Sequence, residues 1–172
     1  MNNDEIRGWL TGRLPQDWFD GAAEVTIDRE EITVVGTLAV PDLPDTASAA
    51  ERAAAARGRV KGFREDTRDR RIEIARELEH RTDKKVAWGV AIDGGRVLFT
   101  HLAVPVMTRL RQPERAVLDT LVDAGVARSR SEALAWCVKL VGKHSDDWLS
   151  QLRSAMEEVE RVRSAGPDGS TG

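Results

Sequence analysis

Val106-Met107-Thr108-Arg109-Leu110, followed by Val117-Leu118, Leu121-Val122, Gly125 and Arg128-Ser129-Arg130-Ser131-Glu132-Ala133-Leu134, decides how this chain is read. The first five residues alternate. Val106, Thr108 and Leu110 fall on one side of a short strand, Met107 and Arg109 on the other. Leu118, Leu121 and Val122 then recur at helical spacing, facing a core. Pro113 suits the first turn of that helix, where its missing N–H is not needed. Gly125 suits a left-handed stop. Ser129 and Glu132 fit a capping box: the serine hydroxyl accepts from the Glu132 N–H, and the Glu132 side chain reaches back. Leu134, Cys137, Val138 and Val141 give the second helix an inward stripe.

Strand, helix, glycine, capping box and helix, in that order, resemble a ribbon-helix-helix DNA-binding domain of the CopG/Arc/MetJ-like kind. The resemblance covers about residues 104–143, roughly a quarter of the chain. In that family two chains intertwine, their strands pair antiparallel across a two-fold axis, and the ribbon enters the major groove. The resemblance therefore implies a homodimer, with further assembly on tandem DNA sites. Met107 and Arg109 would face base edges. An arginine can donate two hydrogen bonds to guanine O6 and N7, and a methionine offers apolar contact to a thymine methyl. Pro105 occupies the third outward position, where the family usually carries a polar or basic residue. Free N–H groups at the start of the second helix, around Arg130 and Ser131, would hold a DNA phosphate. Ser129 stands at that cap, and Arg128 and Arg130 add charge. Such contacts orient the protein without reading sequence.

Charge is distributed unevenly around this segment. The chain of 172 residues carries a net −3, which argues mildly against a nucleic-acid binder. Residues 1–45, however, hold three arginines against ten acids, whereas residues 103–143 hold seven basic against four acidic groups. Binding depends on the local field and not on the total. The acidic first segment suggests a shield over the basic ribbon, displaced to allow binding.

Upstream, the pattern predicts an α+β module over residues 1–102. Asp4 caps a short helix through Leu10. Glu24–Ile27 and Ile32–Leu38 alternate as strands, with Asp28-Arg29-Glu30-Glu31 as the turn and Ile27 opposite Ile32, Val25 opposite Val34. A long helix follows from about Ala47 to about Arg81, weakened at Gly58 and Gly62. Its mixed charges from Arg57 to Lys85 read as a solvated, ion-paired face rather than a nucleic-acid stripe. Val86–Ile92 and Arg96–Leu102 flank Asp93-Gly94-Gly95, a hairpin signal. With the glycine pair as the turn, Val86, Trp88, Val90, Ile92, Val97, Phe99 and His101 share a core face, and Trp88 lies opposite His101.

Downstream, Ser145-Asp146-Asp147 caps a further helix over 144–164 carrying Trp148, Leu149, Leu152, Met156, Val159 and Val162. That stripe is expected to clamp the partner or the chain's own strands. Residues 165–172 read as a disordered tail.

The sequence lacks a phosphate loop, HExxH, a nucleophile elbow or paired cysteines. His80, His101 and His144 fall in separate elements. No catalytic residue, metal site or cofactor is expected, and no enzyme. The single cysteine, Cys137, excludes an internal disulfide and reads as a small core residue. No apolar run approaches the ~20 residues that span a bilayer, and the start lacks the features of a secretory signal. A cytoplasmic, nucleoid-associated protein is the expectation. The leading reading is a dimeric transcriptional regulator, with repression as the expected action. Residues 1–102 would sense an unidentified small-molecule effector or contact a partner. Three alternatives stand beside it: a scaffold whose ribbon only dimerises, a small-molecule binder using the Trp88 face, and an antitoxin. The antitoxin ranks lower because the bulk of the chain precedes the DNA-binding segment.

Overall fold

Asn2, not Asp4, starts the first helix. In the computed structural model, which describes residues 1–166, the Asn2 side chain accepts from the Glu5 N–H and Glu5 returns the bond to the Asn2 N–H, both at 2.8 Å. This reciprocal cap satisfies two of the donors that any helix start leaves open. Helix α1 (Asn3–Arg13) then buries Ile6 and Leu10, one turn apart, on a single face.

The chain is α+β, with a four-stranded sheet and six helices among the described residues. It divides into two compact units, Met1–Val106 and Met107–Gly172. In the first unit, β1 (Glu24–Ile27) and β2 (Glu31–Thr37) form the expected antiparallel pair, Ile27 against Ile32 and Val25 against Val34. The Asp28 carboxylate accepts from the Glu30 and Glu31 N–H groups and fixes the turn. Helices α2 (Ala49–Asp66) and α3 (Arg68–Thr82) cross over to β3 (Lys85–Ile92), which lies parallel to β2. A parallel neighbour requires such a crossover. β4 (Gly95–Leu98) closes the order β1-β2-β3-β4.

The expected single helix from Ala47 to Arg81 is two. The break falls at Thr67 and not at either glycine: Thr67 sits at φ −96°, ψ 0°, and its hydroxyl donates to the Phe63 carbonyl at 2.6 Å. Arg71, 7 % exposed, locks the joint. Its Nε donates to the Thr67 hydroxyl at 3.0 Å and a terminal nitrogen to the Arg64 carbonyl at 2.7 Å. The guanidinium carbon lies 4.9 Å from the Phe99 ring centroid, with that of Arg64 at 5.7 Å. Burial first, and then the charges of Arg64 and Arg68, lower the Arg71 pKa from its usual value. Hydrogen bonds and an aromatic face stand where a buried charge usually finds a carboxylate.

The hairpin is also corrected in register. Its turn is Asp93-Gly94, with φ +50° and +72°, the two left-handed positions a type I′ turn demands. Ile92 therefore pairs with Gly95 and Val90 with Val97. Trp88 faces Phe99, whose N–H donates to the Trp88 carbonyl, and not His101. The slip is two residues, so side-chain parity survives. The second strand ends at Leu98.

On the helix-facing side of the sheet, Ile32, Val34, Val86 and Trp88 pack with Ile6, Leu10, Ile74 and Leu78. Leu38, Phe63, Val90 and Ile92 form an adjoining cluster. On the other side, Gly89 is obligatory: a Cβ there would lie 2.6 Å from Leu98 Cδ2 and 2.9 Å from the Val97 carbonyl. Arg96 of β4 reaches Glu24 of β1 at 3.0 Å, so an ion pair joins the two edge strands.

In the second unit, α4 (Gln112–Asp123), α5 (Arg130–His144) and α6 (Asp146–Ala165) follow one another. Among the described residues only Leu118, Ala127 and Ala133 are buried, with Leu110, Leu121, Val122, Leu134 and Cys137 packed around them. Val138 and Val141, expected to face inward, are exposed. The stretch expected as a strand, Val106 to Leu110, is irregular. A strand persists only where a neighbour takes up its N–H and C=O groups, and the single chain supplies none there. Ser145 precedes α6 without a side-chain cap, and the helix runs to Ala165 rather than 164. The tail expected to be disordered lies, from Pro167 onward, outside the described residues.

Candidate nucleic-acid interface

The second unit places the six residues singled out by sequence in two groups. Met107 and Arg109 sit in the irregular segment before α4 and are exposed; Met107 is 97 % exposed and its neighbour Val106 84 %. A methionine and a valine held this far into water have no packing role within one chain. The alternation that would turn Arg109 outward is therefore unformed here. Leu110, by contrast, packs against the small core, and its carbonyl accepts from Arg115 at 2.7 Å.

The other four residues lie at the α4–α5 connection. Gly125, at φ +74°, ends α4: its N–H donates to the Val122 carbonyl, and the Val126 and Ala127 N–H groups both reach the Leu121 carbonyl. This closure satisfies carbonyls that the helix end leaves open. Ser129 then caps α5, its hydroxyl accepting from the Glu132 N–H at 3.2 Å. The expected capping box is only half present. Glu132 reaches past Ser129 to the Arg128 N–H at 2.8 Å and also holds the Arg128 guanidinium. The Glu132 carboxylate thus takes the Arg128 N–H and guanidinium in place of the Ser129 N–H that a capping box would use.

Arg130 is likewise engaged. It forks onto Asp119 of α4 at 2.6 and 2.8 Å, a bidentate geometry that ties the two helices together. That hydrogen bond holds the Asp119 carboxyl below its usual range and raises the Arg130 pKa. Glu132 is lowered in the same way by Arg128. The four charges cancel. Sequence reasoning assigned Arg128 and Arg130 to phosphate and missed both carboxylates. The signal was legible for Glu132, four residues after Arg128, but not for Asp119, which meets Arg130 only after the chain turns. Among the described residues no acceptor meets the N–H of Arg130 or Ser131. These two donors at the start of α5 remain available to an anion.

Elsewhere, the Trp88 face expected as a pocket in one alternative is core: Trp88 is buried, and its indole N–H has no partner among the described residues. The first unit does carry a groove of about 310 Å³ lined by Leu14, Gln16, Phe19, Gly21 and Val25. It presents no charged side chain. Among the described residues no metal-ligating cluster is gathered, and no helix is long and apolar enough to cross a membrane.

The fold thus defines an α+β protein built from a sheet unit and a helical unit whose second helix starts with two open N–H groups. Residues 4–98 match the family described as Rv1265-like protein, N-terminal domain, and residues 111–163 match the family described as Mb1296 C-terminal domain. The chain belongs to the Rv1265-like family. It is 60 % identical over 160 residues to uncharacterized protein Rv1265 of Mycobacterium tuberculosis strain H37Rv, covering 93 % of this chain and 69 % of that one. The same figures hold for uncharacterized protein Mb1296 of Mycobacterium bovis. No solved structure matches. Neither family description names a ribbon-helix-helix, and Met107 and Arg109 fall between the two matched segments.

Proposed function

We propose that the protein is a dimeric DNA-binding transcriptional regulator of ribbon-helix-helix type. The observation that carries this reading is the exposed segment Val106 to Arg109, whose sequence alternates and which ends at the core-packed Leu110, directly before a helix, a left-handed glycine and a helix with open N–H groups. A second chain would supply the strand partner that one chain lacks. Arg109 then reads a guanine, and Met107 adds apolar contact. The Arg130 and Ser131 N–H groups take a phosphate. The groove of the first unit is the place for an uncharged effector, and a nucleoid-bound location follows from the same reading.

The test is binding of the purified chain to fragments of its own genome, followed by Arg109→Ala. Loss of one bidentate contact should cost about 1–3 kcal/mol of specific affinity while the dimer persists in sedimentation. Unchanged affinity for an enriched site would sink the role given to Arg109. A second reading is favoured by one observation: Arg128 and Arg130 are already neutralised by Glu132 and Asp119. A unit that only dimerises would look the same, and it would show no enrichment on DNA at any salt.

A further inference from the structure

Helix α6 presents an apolar face that nothing among the described residues of its unit covers. Trp148, Leu152, Met156, Val159 and Val162 are all exposed, Trp148 by 60 % and Met156 by 65 %, and no residue of the helix is buried. Leu149, Leu152, Met156 and Val159 follow the three-four-three spacing of a helix–helix seam. Away from this seam Arg161 pairs with Glu158, and Arg163, paired with Glu160, ends the seam at its C-terminal side. The helix is net acidic, so an anionic lipid surface is a poor match for it.

We infer that this face packs against a second copy of the chain, making α6 a clamp that completes the dimer. The inference rests on the reading of the second unit as a dimer former and names a surface outside the ribbon. The unit itself argues for this occupant. Its buried core is one leucine and two alanines, far too little to hold three helices in place alone. The exposed side chains of α6 alone offer on the order of several hundred Å² of surface, a large part of the ~800 Å² a side of a standard interface. The family match over residues 111–163 takes in α6 together with α4 and α5, so the clamp belongs to the same shared unit.

The test is sedimentation equilibrium of the full chain beside the double variant Leu152→Glu, Met156→Glu. Both side chains are exposed in a single chain, so the variant should keep its helical content. Two carboxylates in an apolar interface should raise the dimer dissociation constant by roughly 100-fold or more. An unchanged constant overturns the clamp and leaves the ribbon dimer standing. A wild-type chain that sediments as a monomer at all concentrations overturns both. So does a monomer that co-sediments with phosphatidylglycerol vesicles. The milder pair Leu152→Ala, Met156→Ala should weaken the dimer by a smaller factor; no weakening in either variant counts against the clamp.

Discussion

A guanidinium held by a carboxylate is a weakened ligand for phosphate, because the anion must displace or share an existing partner. Arg130 is in that position, forked onto Asp119. Its remaining N–H groups and full charge persist, but the neighbouring carboxylate repels the same phosphate that Arg130 attracts. Asp119→Asn removes that charge and keeps the shape. DNA affinity should rise several-fold at low salt, and the slope of log affinity against log salt should steepen by about one phosphate contact, ~0.9. Anisotropy titrations across a potassium chloride series measure both. An unaltered slope would mean that Arg130 does not meet the backbone. The Asp119 carboxyl is held below its usual range by Arg130, so the pair survives at every pH above the ordinary carboxylate range. It is lost only as pH falls through that lowered value, and DNA binding between pH 6 and 8 should not vary through this pair.

At the scale of elements, the α2–α3 joint shows how a side chain can end a helix that the backbone pattern would continue. Thr67 and Arg71 hold each other and two carbonyls. Thr67→Val keeps the volume and removes the hydroxyl. The buried network then loses an acceptor for the Arg71 Nε, and the first unit should be less stable by about 1–3 kcal/mol. Chemical denaturation gives that difference; a change below about 0.5 kcal/mol would show that the joint rests on packing alone. This break was not legible in the sequence, because threonine is tolerated in helices and its partner lies a turn away. The β1–β2 register was legible, since alternation and the acidic turn agree on one frame. The β3–β4 register was not, because Asp93-Gly94-Gly95 offers two turn frames and only the Asp-Gly frame fits the strand twist. The faces survived that slip because it moved by an even number of residues. Of the candidate site, the glycine stop and the serine cap were readable locally. The ion pairs and the missing strand partner depend on groups that the local pattern does not contain.

At the scale of the whole molecule, the acidic first segment cannot act as a detachable shield. It contributes α1, β1 and the central strand β2, and with them Ile6, Leu10, Ile32, Val34 and Leu38 of the core. Displacing it would unfold the sheet, so any electrostatic influence on DNA binding must come from the folded first unit as a body. The two units differ in what stabilises them. The first encloses two buried apolar clusters and a four-stranded sheet within one chain. The second encloses three buried residues among those described and leaves its larger apolar side chains in water. If a second copy covers those side chains, the second unit is stabilised by mass action and the first is not. Thermal unfolding should then show two transitions. A tenfold rise in protein concentration adds about 1.4 kcal/mol per dimer. For some 120 residues unfolding together, that should raise the midpoint of the helical unit by about 5 °C. The midpoint of the sheet unit should stay fixed. Circular dichroism at 222 nm across a hundredfold concentration range resolves the two. A helical transition that does not move with concentration would show that this unit folds alone, and the dimeric reading of the protein would fall with it.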